Sequence, residues 1–335
     1  MKYINSSYNS PCPICSNTQN ILLYKINSKD AAAQFLVTQN ESKNPQKVAI
    51  IENKLIELWK RDWAAVVCCK KCNFVFAEPF VAGDYEFYNL MPHATGESPE
   101  NWKWEFEKTF EQITSIVDKK TDITLLEIGA STGDFIKRVA NIIPKKNILC
   151  LEHSEIGLKS LRKAGIEAYS WNFHKLAQKK EFKSKFDIIC LFQVLEHMDK
   201  LDDIFATFNA TTKPGAHLFI GVPNTKKTKF NELNDALLDI PPNHIGRYNE
   251  KSFNYLGSKH GWTIEGLAIE PYTPLDVMKS VMYYQSLKRA QFPDVKETIN
   301  YRIRRYLAIK YLRLQSFFMH NQLGEALWVH YKKSA

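Results

Sequence analysis

The stretch ITLLEIGASTGDF, residues 123–135, decides the fold. Its first half is a mostly apolar run of strand length, typical of a parallel strand that is buried on both faces of a sheet. Gly129 permits a tight turn after this strand, and Gly133 lets the backbone approach a ligand closely where the next helix begins. A dinucleotide-binding fingerprint would need glycines at 129, 131 and 134, but this chain has Ser131 and Asp134. The stretch therefore predicts a strand, a glycine loop and a helix, and excludes that fingerprint.

Short apolar runs and helical patterns alternate on both sides of this loop. One helical pattern, over 154–165, ends at Gly165, a residue type that is typical of helix C-caps. The alternation predicts a βαβ series and hence an α/β, doubly wound, Rossmann-like sheet. The predicted strands lie at 123–129, 147–152, 166–170, 186–192, 216–222, 262–270 and 325–333.

Five ordered segments of this region resemble the class I S-adenosylmethionine-dependent methyltransferases. The glycine loop is similar to the acidic-x-Gly-x-Gly-x-Gly loop of that family, with Ser131 in place of the middle glycine. Glu152 ends the second strand, where such folds place a carboxylate that accepts the two ribose hydroxyls. The other three segments are 192–198 with its Leu-Glu-His sequence, 221–224, and 244–248 ahead of 261–262.

The resemblance implies a seven-stranded, mostly parallel sheet in the order 3-2-1-4-5-7-6. Residues 325–333 would be its antiparallel strand, and a helical insert at 274–320 would cap the carboxyl edge of the sheet near the substrate. The resemblance also implies an enzyme that binds S-adenosyl-L-methionine and transfers its methyl group. The residues expected to contact this cofactor are Glu127, Gly129, Ala130, Ser131, Gly133, Phe135, Glu152, His153, Phe192 and Gln193.

The candidate catalytic residues are two histidines. Methyl transfer needs in-line alignment, and a hydroxyl, amine or carbon acid must also lose a proton, for which histidine is well suited near neutral pH. His197 and His244 follow predicted strands or turns at the cofactor edge, so they are the candidate bases. His197 has an equal alternative as a structural histidine whose ring bonds the backbone. Asn224, Tyr248 and Tyr88 are candidates for binding substrate, with core packing as the alternative for Tyr88.

Two Cys-x-x-Cys pairs, Cys12/Cys15 and Cys69/Cys72, stand near the N-terminus. Four thiolates on two such turns form a tetrahedral, structural zinc site, which leaves no open position for catalysis. The alternative is four free, reduced thiols. Asn73 follows the second pair where glycine is commoner, and asparagine tolerates the left-handed backbone that the turn needs. The 53 residues between the pairs exceed the usual spacing.

These features divide the chain into three parts: a zinc-binding module at 1–80, a helical linker or lid at 81–120 and the methyltransferase domain at 121–335. The module includes a predicted helix over 48–63. Module and core together resemble methyltransferases of sugar-nucleotide and natural-product pathways, including the sugar C-methyltransferases. In those, a glutamate precedes the active-turn histidine, whereas Asn243 stands in this chain, so C-methylation is not implied while methyl transfer is. The implied partner is a small-molecule substrate, nucleotide-linked in one reading.

The net charge of +9 is concentrated near the C-terminus. Residues 273–335 alone carry 11 Lys or Arg and 4 Asp or Glu, and the basic stretch lies over 286–313. Three interpretations of this stretch remain open. It forms the solvent-exposed face of a helix, it binds the diphosphate of a nucleotide sugar, or it contacts the phosphates of a membrane or of RNA. The function hypotheses are a small-molecule methyltransferase, an RNA methyltransferase of the ribosomal type, and a non-catalytic partner protein that retains the fold.

Length and composition limit the class of protein and the number of domains. The 335 residues, 44% hydrophobic and 24% charged, are ordinary for a globular protein of about two domains and exclude a disordered chain. No apolar run approaches the roughly 18 residues of a membrane span, and the N-terminus shows no apolar signal-peptide region. Clustered cysteines without a secretory signal favour reduced thiols over disulfides, so we expect a cytoplasmic protein.

Overall fold

The computed structural model describes residues 3–37, 41–91, 102–234, 236–237, 239–290 and 299–334. Two sheets organise this part of the chain. The strands, in chain order, are β1 Ser6–Asn9, β2 Gln19–Asn27, β3 Trp63–Cys69, β4 Val75–Glu78, β5 Leu125–Ile128, β6 Ile148–Leu151, β7 Glu167–Tyr169, β8 Phe186–Phe192, β9 Thr212–Pro223, β10 Gly246–Arg247, β11 Trp262–Ile269 and β12 Ala326–Lys333. The helices are α1 Ser28–Phe35, α2 Pro45–Trp59, α3 Tyr85–Leu90, α4 Trp104–Val117, α5 Asp134–Val139, α6 Glu155–Lys163, α7 His174–Gln178, α8 Leu201–Thr211, α9 Thr225–Leu233, α10 Glu250–His260, α11 Pro274–Ala290 and α12 Ile299–Met319.

The larger sheet has the strand order β11-β12-β9-β8-β5-β6-β7. Its strands run parallel except β12, which lies antiparallel between β9 and β11. Strands β5, β6 and β8 are buried along their whole length, because a hydrophobic cluster covers each face of the sheet. All seven predicted strands are present, and the predicted order with one antiparallel strand is confirmed.

The smaller sheet is antiparallel throughout, with the order β1-β2-β3-β4-β10. Helices α1 and α2 pack against it, and α2 covers most of the predicted helix over 48–63. The last strand comes from the far end of the chain, since Gly246 pairs with Phe76 and Arg247 with Val75. The small sheet therefore extends beyond the predicted module at 1–80 and takes in part of the turn that follows His244.

The remaining helices connect and flank the two sheets. The predicted linker contains α3 and α4, and α4 packs on the large sheet, where Trp328 Nε1 donates to Thr109 Oγ1 at 2.8 Å. The predicted helical insert consists of α11 and α12, which pack on α9 through Phe230, Val277 and Leu312. Within the described residues, every helix is too short or too polar to cross a lipid bilayer.

A buried ionic network joins the two sheets. Arg247 on β10 donates to Glu232 Oε1 near the end of α9 at 2.7 Å and to the Tyr24 hydroxyl on β2 at 2.9 Å. The hydroxyls of Tyr24 and Tyr3 each donate to a Glu232 carboxylate oxygen at 2.6 Å. Arg247 also donates to the backbone carbonyl of Asp239 at 2.6 Å. Each buried charge thus has several partners, which offset the cost of removing it from water.

Replacing Glu232 with Gln should destabilise the protein by about 3–5 kcal/mol, because the buried Arg247 guanidinium loses the carboxylate to which it donates. Urea unfolding followed by circular dichroism measures the change. Asp202→Asn is the matched control, since Asp202 pairs with Lys259 at the surface and their side chains are 58% and 40% exposed. Such a pair contributes about 1 kcal/mol at most. Equal losses in the two variants would contradict the structural role of the network.

Candidate functional site

The glycine loop joins β5 to α5 at the carboxyl edge of the large sheet. Gly129 and Gly133 both have left-handed backbone, with φ of +74° and +87°. A Cβ atom on Gly129 would lie 2.4 Å from Val194 Cγ2, and one on Gly133 would lie 2.7 Å from Leu161 Cδ2. Glycine is therefore needed at both positions, for backbone conformation and for space.

Glu152 follows β6, and its side chain contacts the glycine loop. One carboxylate oxygen accepts from the backbone N–H of Ser131 at 2.7 Å, and the other accepts from that of Ser154 at 2.7 Å. A carboxylate has about four lone-pair sites, so each oxygen can accept a further hydrogen bond. Glu152 thus lies beside the loop with acceptor capacity for ribose hydroxyls. His153, the next residue, is exposed to solvent.

Glu127 on β5 is buried, and its Oε2 atom has no hydrogen-bond partner among the described residues. Burial and the nearby carboxylates of Glu152 and Asp134 raise the pKa of Glu127 well above its ordinary value. Buried polar atoms are normally satisfied, so this oxygen indicates a missing donor. The ammonium group of S-adenosylmethionine fits that requirement, and the loop residues therefore fit the cofactor that the sequence predicts.

The other residues predicted to contact the cofactor divide into two groups. Ala130, Phe135 and Phe192 are buried in one hydrophobic cluster of the large sheet, and the rings of Phe135 and Phe192 lie 4.9 Å apart. Gln193 has a φ of +56° and its side chain lines a cavity, where its Nε2 donates to Glu105 Oε1 at 3.1 Å.

This cavity has a volume of about 680 Å³ and lies at the carboxyl ends of β8 and β9. Four carboxylates, two lysines and three aromatic rings surround it. The lining residues are Trp102, Lys103, Trp104, Glu105, Gln193, Pro223, Lys227, Thr228, Asn231, Asp239, His244, Glu270, Tyr272, Glu325 and Ala326. A concave site with several polar groups at the edge of an α/β sheet suits a small polar molecule.

His244 lines the cavity and forms an ion pair with Asp239. Its Nδ1 atom lies 2.8 Å from Asp239 Oδ1. Burial acts to lower the pKa of His244, but Asp239 outweighs this effect, so the pKa lies above its ordinary value. Burial opposes ionisation of Asp239, yet His244 still lowers the pKa of that carboxyl to about 2. Because Nδ1 faces Asp239, Nε2 is the nitrogen available to a bound molecule.

His197 stands behind His244, with 4.7 Å between the two ring centroids, and is not among the lining residues of the cavity. Its Nδ1 donates to the backbone carbonyl of Asn243 at 2.7 Å and lies 3.3 Å from the Tyr88 hydroxyl. Burial and the neighbouring His244 lower the pKa of His197 to about 4. The geometry therefore favours the structural reading of His197, and Tyr88 contacts this ring instead of the cavity.

Two acidic residues beside His197 and His244, namely Glu196 and Asp239, were not predicted from the sequence. Glu196 is buried, its Oε2 has no hydrogen-bond partner in the described part of the chain, and burial raises its pKa to about 7. Its other oxygen lies 3.8 Å from His197 Nε2. Asp239 lies in the irregular segment between α9 and β10, which shows no periodic pattern. The Leu-Glu-His sequence was a signal for Glu196, whereas Asp239 had none beyond its closeness to His244.

Asn224 and Tyr248, the other two residues predicted to bind substrate, are not among the lining residues of the cavity. Asn224 is buried, caps α9, and donates from Nδ2 to the backbone carbonyls of Gln322 and Gly324 at 2.8 and 2.9 Å. Tyr248 is fully buried, and its hydroxyl donates to the carbonyl of Leu195 at 3.3 Å. Both side chains are used by the fold, because Asn224 holds the chain ahead of β12 and Tyr248 fills the core.

The four-cysteine cluster consists of Cys12, Cys15, Cys69 and Cys72, whose sulfur atoms all lie within 4.8 Å of one another. The Cys12–Cys72 and Cys15–Cys69 sulfur distances are 3.6 and 3.5 Å. A tetrahedral zinc ion with Zn–S bonds of about 2.3 Å would separate its sulfurs by about 3.8 Å, so these side chains fit zinc after a small expansion.

The turns of the cluster have the expected backbone. Ser16 and Asn73, which follow the two Cys-x-x-Cys pairs, have left-handed φ of +57° and +58°. Their N–H groups donate to the carbonyls of Cys12 and Cys69 at 2.9 and 3.0 Å. Asn73 thus adopts the predicted conformation, and the second pair is Cys69/Cys72, with the Cys68 sulfur outside the cluster.

The cations of the basic segment that the structure describes do not line the cavity. Lys310 and Arg313 on α12 are both exposed, and neither belongs to the lining. Residues 291–298, in the middle of the predicted basic stretch at 286–313, lie outside the described residues. The described cations therefore do not support a diphosphate holder facing the cavity.

A family model matches just under half of the chain. Residues 102–267, which carry the glycine loop, Glu152 and His244, match the family model described as a methyltransferase domain. No curated protein matches the chain.

Among solved structures, the chain is similar to a methyltransferase dependent on S-adenosylmethionine from Archaeoglobus fulgidus, with 14% identity over 68% of this chain and 94% of that chain and a TM-score of 0.45. A second such enzyme, from Mesorhizobium loti, has 14% identity over 67% and 97% and a TM-score of 0.41. Phosphoethanolamine N-methyltransferase 2 from Haemonchus contortus has 16% identity over 67% and 52% and a TM-score of 0.38.

Gly129→Ala should lower the free energy of unfolding by about 1–3 kcal/mol, because left-handed backbone is strained for alanine and the new methyl overlaps Val194. Gly215→Ala is the matched control, since its φ is +71° but an added Cβ meets no atom within 4 Å. Thermal unfolding compares the two, and calorimetry measures binding of S-adenosylmethionine. Only Gly129→Ala should weaken that binding, and equal affinity in both variants would contradict the role given to the loop.

Proposed function

We propose that this class I S-adenosylmethionine-dependent methyltransferase methylates a small polar molecule held in the cavity, with His244 as the base. The observation that carries the proposal is the Asp239–His244 ion pair on the cavity wall, at the same edge of the sheet as the glycine loop and Glu152. A histidine backed by a carboxylate is a well-suited general base near neutral pH.

Methyl transfer requires that the acceptor atom be aligned with the methyl group and that the acceptor lose one proton. S-adenosylmethionine, when bound, supplies a methyl group that its sulfonium already activates, so the chain has to orient the acceptor. Glu152 and Glu127 would hold the ribose hydroxyls and the ammonium group. His244 Nε2 would take the proton from the acceptor hydroxyl or amine, and Asp239 stabilises the imidazolium that forms.

The lining of the cavity supports an acceptor rich in hydroxyl or amine groups, such as a sugar or natural-product intermediate. Its four carboxylates can accept hydrogen bonds from such groups, and they would repel the phosphates of RNA. Lys103 and Lys227 are compatible with one anionic group, as in a nucleotide-linked sugar. The lining therefore favours a small-molecule acceptor over the RNA alternative.

His244→Asn should lower kcat by about 10²–10⁴-fold, because the variant loses the base but keeps a polar side chain of similar size. The assay follows transfer of a labelled methyl group from S-adenosylmethionine to a panel of sugars, nucleotide-linked sugars and short RNAs. His197→Asn is the comparison, and its loss should be smaller. Cofactor affinity should change less than about twofold in both. A larger loss in His197→Asn would reverse the assignment of the base.

The pH dependence follows from the ion pair. Activity should rise as His244 loses its proton, with a midpoint above the ordinary pKa of histidine. Asp239→Asn should move that midpoint to lower pH, because the imidazolium loses the negative charge that stabilises it. Histidine NMR titration measures the same shift without an acceptor. A midpoint that stays in place would rule out Asp239 as the partner.

The four-cysteine cluster has a supporting role in this proposal, as the holder of one structural zinc ion. Its second turn packs on the segment that follows His244: Asn249 Nδ2 donates to the Asn73 carbonyl at 2.6 Å, and the rings of Phe74 and Tyr248 lie 4.9 Å apart. With four protein ligands the ion has no open position, so its contribution is to the position of this segment.

Elemental analysis should find about one zinc per chain in the wild-type protein and almost none in Cys69→Ser. Cys68→Ser, one residue away but outside the cluster, should keep its zinc. Since loss of a ligand can unfold a small metal-bound sheet, chelation of the wild-type protein gives a second measurement. Removing zinc should shift the His244 NMR signal, and a metal-free protein with an unchanged spectrum would contradict the proposed site.

A further inference from the structure

A second cluster of ligand-type side chains lies on the last three strands of the large sheet. His217 on β9, Glu265 on β11 and His330 on β12 form the His217–Glu265–His330 cluster, whose nearest nitrogen and oxygen atoms all lie within 4.8 Å of one another. His217 Nδ1 and His330 Nε2 are 2.8 Å apart, and Glu265 Oε2 lies 4.0 Å from His330 Nε2.

A bulge in β11 creates this arrangement. The register of β11 against β12 shifts between Ile264 and Gly266, so Glu265 is the unpaired extra residue. Gly266 pairs with His330, and a Cβ at that position would lie 3.0 Å from the Trp328 ring. The bulge and the glycine together bring the Glu265 carboxylate to the face of the sheet that carries both histidines.

Among the three side chains of the cluster, His330 is buried and His217 is partly buried. Glu265 is partly exposed and contacts Lys332 at 3.6 Å, so a metal ion would replace that surface partner and could keep water as its further ligands.

We propose that the His217–Glu265–His330 cluster binds a divalent transition-metal ion through two imidazoles and one carboxylate. Metal–nitrogen bonds of about 2.0–2.1 Å place two nitrogens about 2.9 Å apart at a right angle and about 3.4 Å apart in a tetrahedron. The observed 2.8 Å is the length of a hydrogen bond between the two rings, and it is close to the nitrogen separation at a right angle, so a bound ion would take the place of the shared proton. Imidazole and carboxylate ligands suit Ni²⁺ and Cu²⁺, which makes Ni²⁺ a suitable probe.

The proposal is independent of the proposed methyl transfer. His217 lies six residues before Pro223, which lines the cavity, so the two sites are roughly 20 Å apart along β9. An ion in the cluster would link β9, β12 and β11, the part of the sheet that contains its antiparallel strand. It would therefore stabilise the end of the fold and leave the chemistry unchanged.

Calorimetric titration of the zinc-loaded protein with Ni²⁺ tests the site. The wild-type protein should bind one Ni²⁺ per chain, and His217→Gln or His330→Gln should bind it at least tenfold more weakly. His244→Asn is the control for the group formed by Glu196, His197 and His244, and it should bind as the wild type does. Constant zinc content and the absence of a nickel–thiolate absorption band show that the cysteines keep their own ion.

A second measurement guards against variants that merely fold poorly. Ni²⁺ should raise the melting temperature of the wild-type protein and of His244→Asn, but not that of His330→Gln. The proposal is overturned if the wild-type protein binds no Ni²⁺ under these conditions. It is equally overturned if His217→Gln and His330→Gln bind Ni²⁺ as tightly as the wild type.

Discussion

The buried guanidinium of Arg247 requires hydrogen-bond and ion-pair partners, because burying it unpaired would lower the stability of the fold by several kcal/mol. Its partners come from three separate parts of the chain: Tyr24 on β2, Glu232 on α9 and the backbone carbonyl of Asp239. The backbone of Asp239 is thereby held on one side, while its carboxylate faces His244 on the other. One buried charge thus sets the relative positions of the small sheet, α9 and the residue that raises the pKa of His244.

The small sheet consequently helps to position the wall of the cavity, although none of its cysteines lines the described cavity. Strand β10 pairs with β4, and the second cysteine turn contacts Asn249 and Tyr248. His244 lies between the segment held by Arg247 and these contacts. The position of a side chain in the cavity therefore depends on the integrity of a sheet that is built mainly from the N-terminal residues.

Sequence patterns predicted the large sheet and the cysteine cluster for physical reasons that are local. Strands buried on both faces are continuous apolar runs, left-handed turns favour glycine, and zinc ligands recur at fixed spacing. Strand β10 is only two residues long, so it has no periodicity, and its partner is β4, far away in the sequence. Asp239 was missed because its role arises from tertiary contacts. Asn224 is the opposite case. It occupies a position in a family-like motif, but its side chain hydrogen-bonds to the backbone carbonyls of Gln322 and Gly324.

The two neighbouring imidazoles of His197 and His244 show how tertiary contacts set the pKa of each side chain. His197 and His244 lie close enough that a proton on one disfavours a proton on the other. Asp239 contacts only the Nδ1 side of His244, whereas His197 donates its own Nδ1 proton to a backbone carbonyl. The pKa of His244 therefore lies above the ordinary value and that of His197 falls to about 4. A base must take up a proton at working pH, so in the proposed mechanism the carboxylate of Asp239, and not the motif around His197, determines which histidine suits that role.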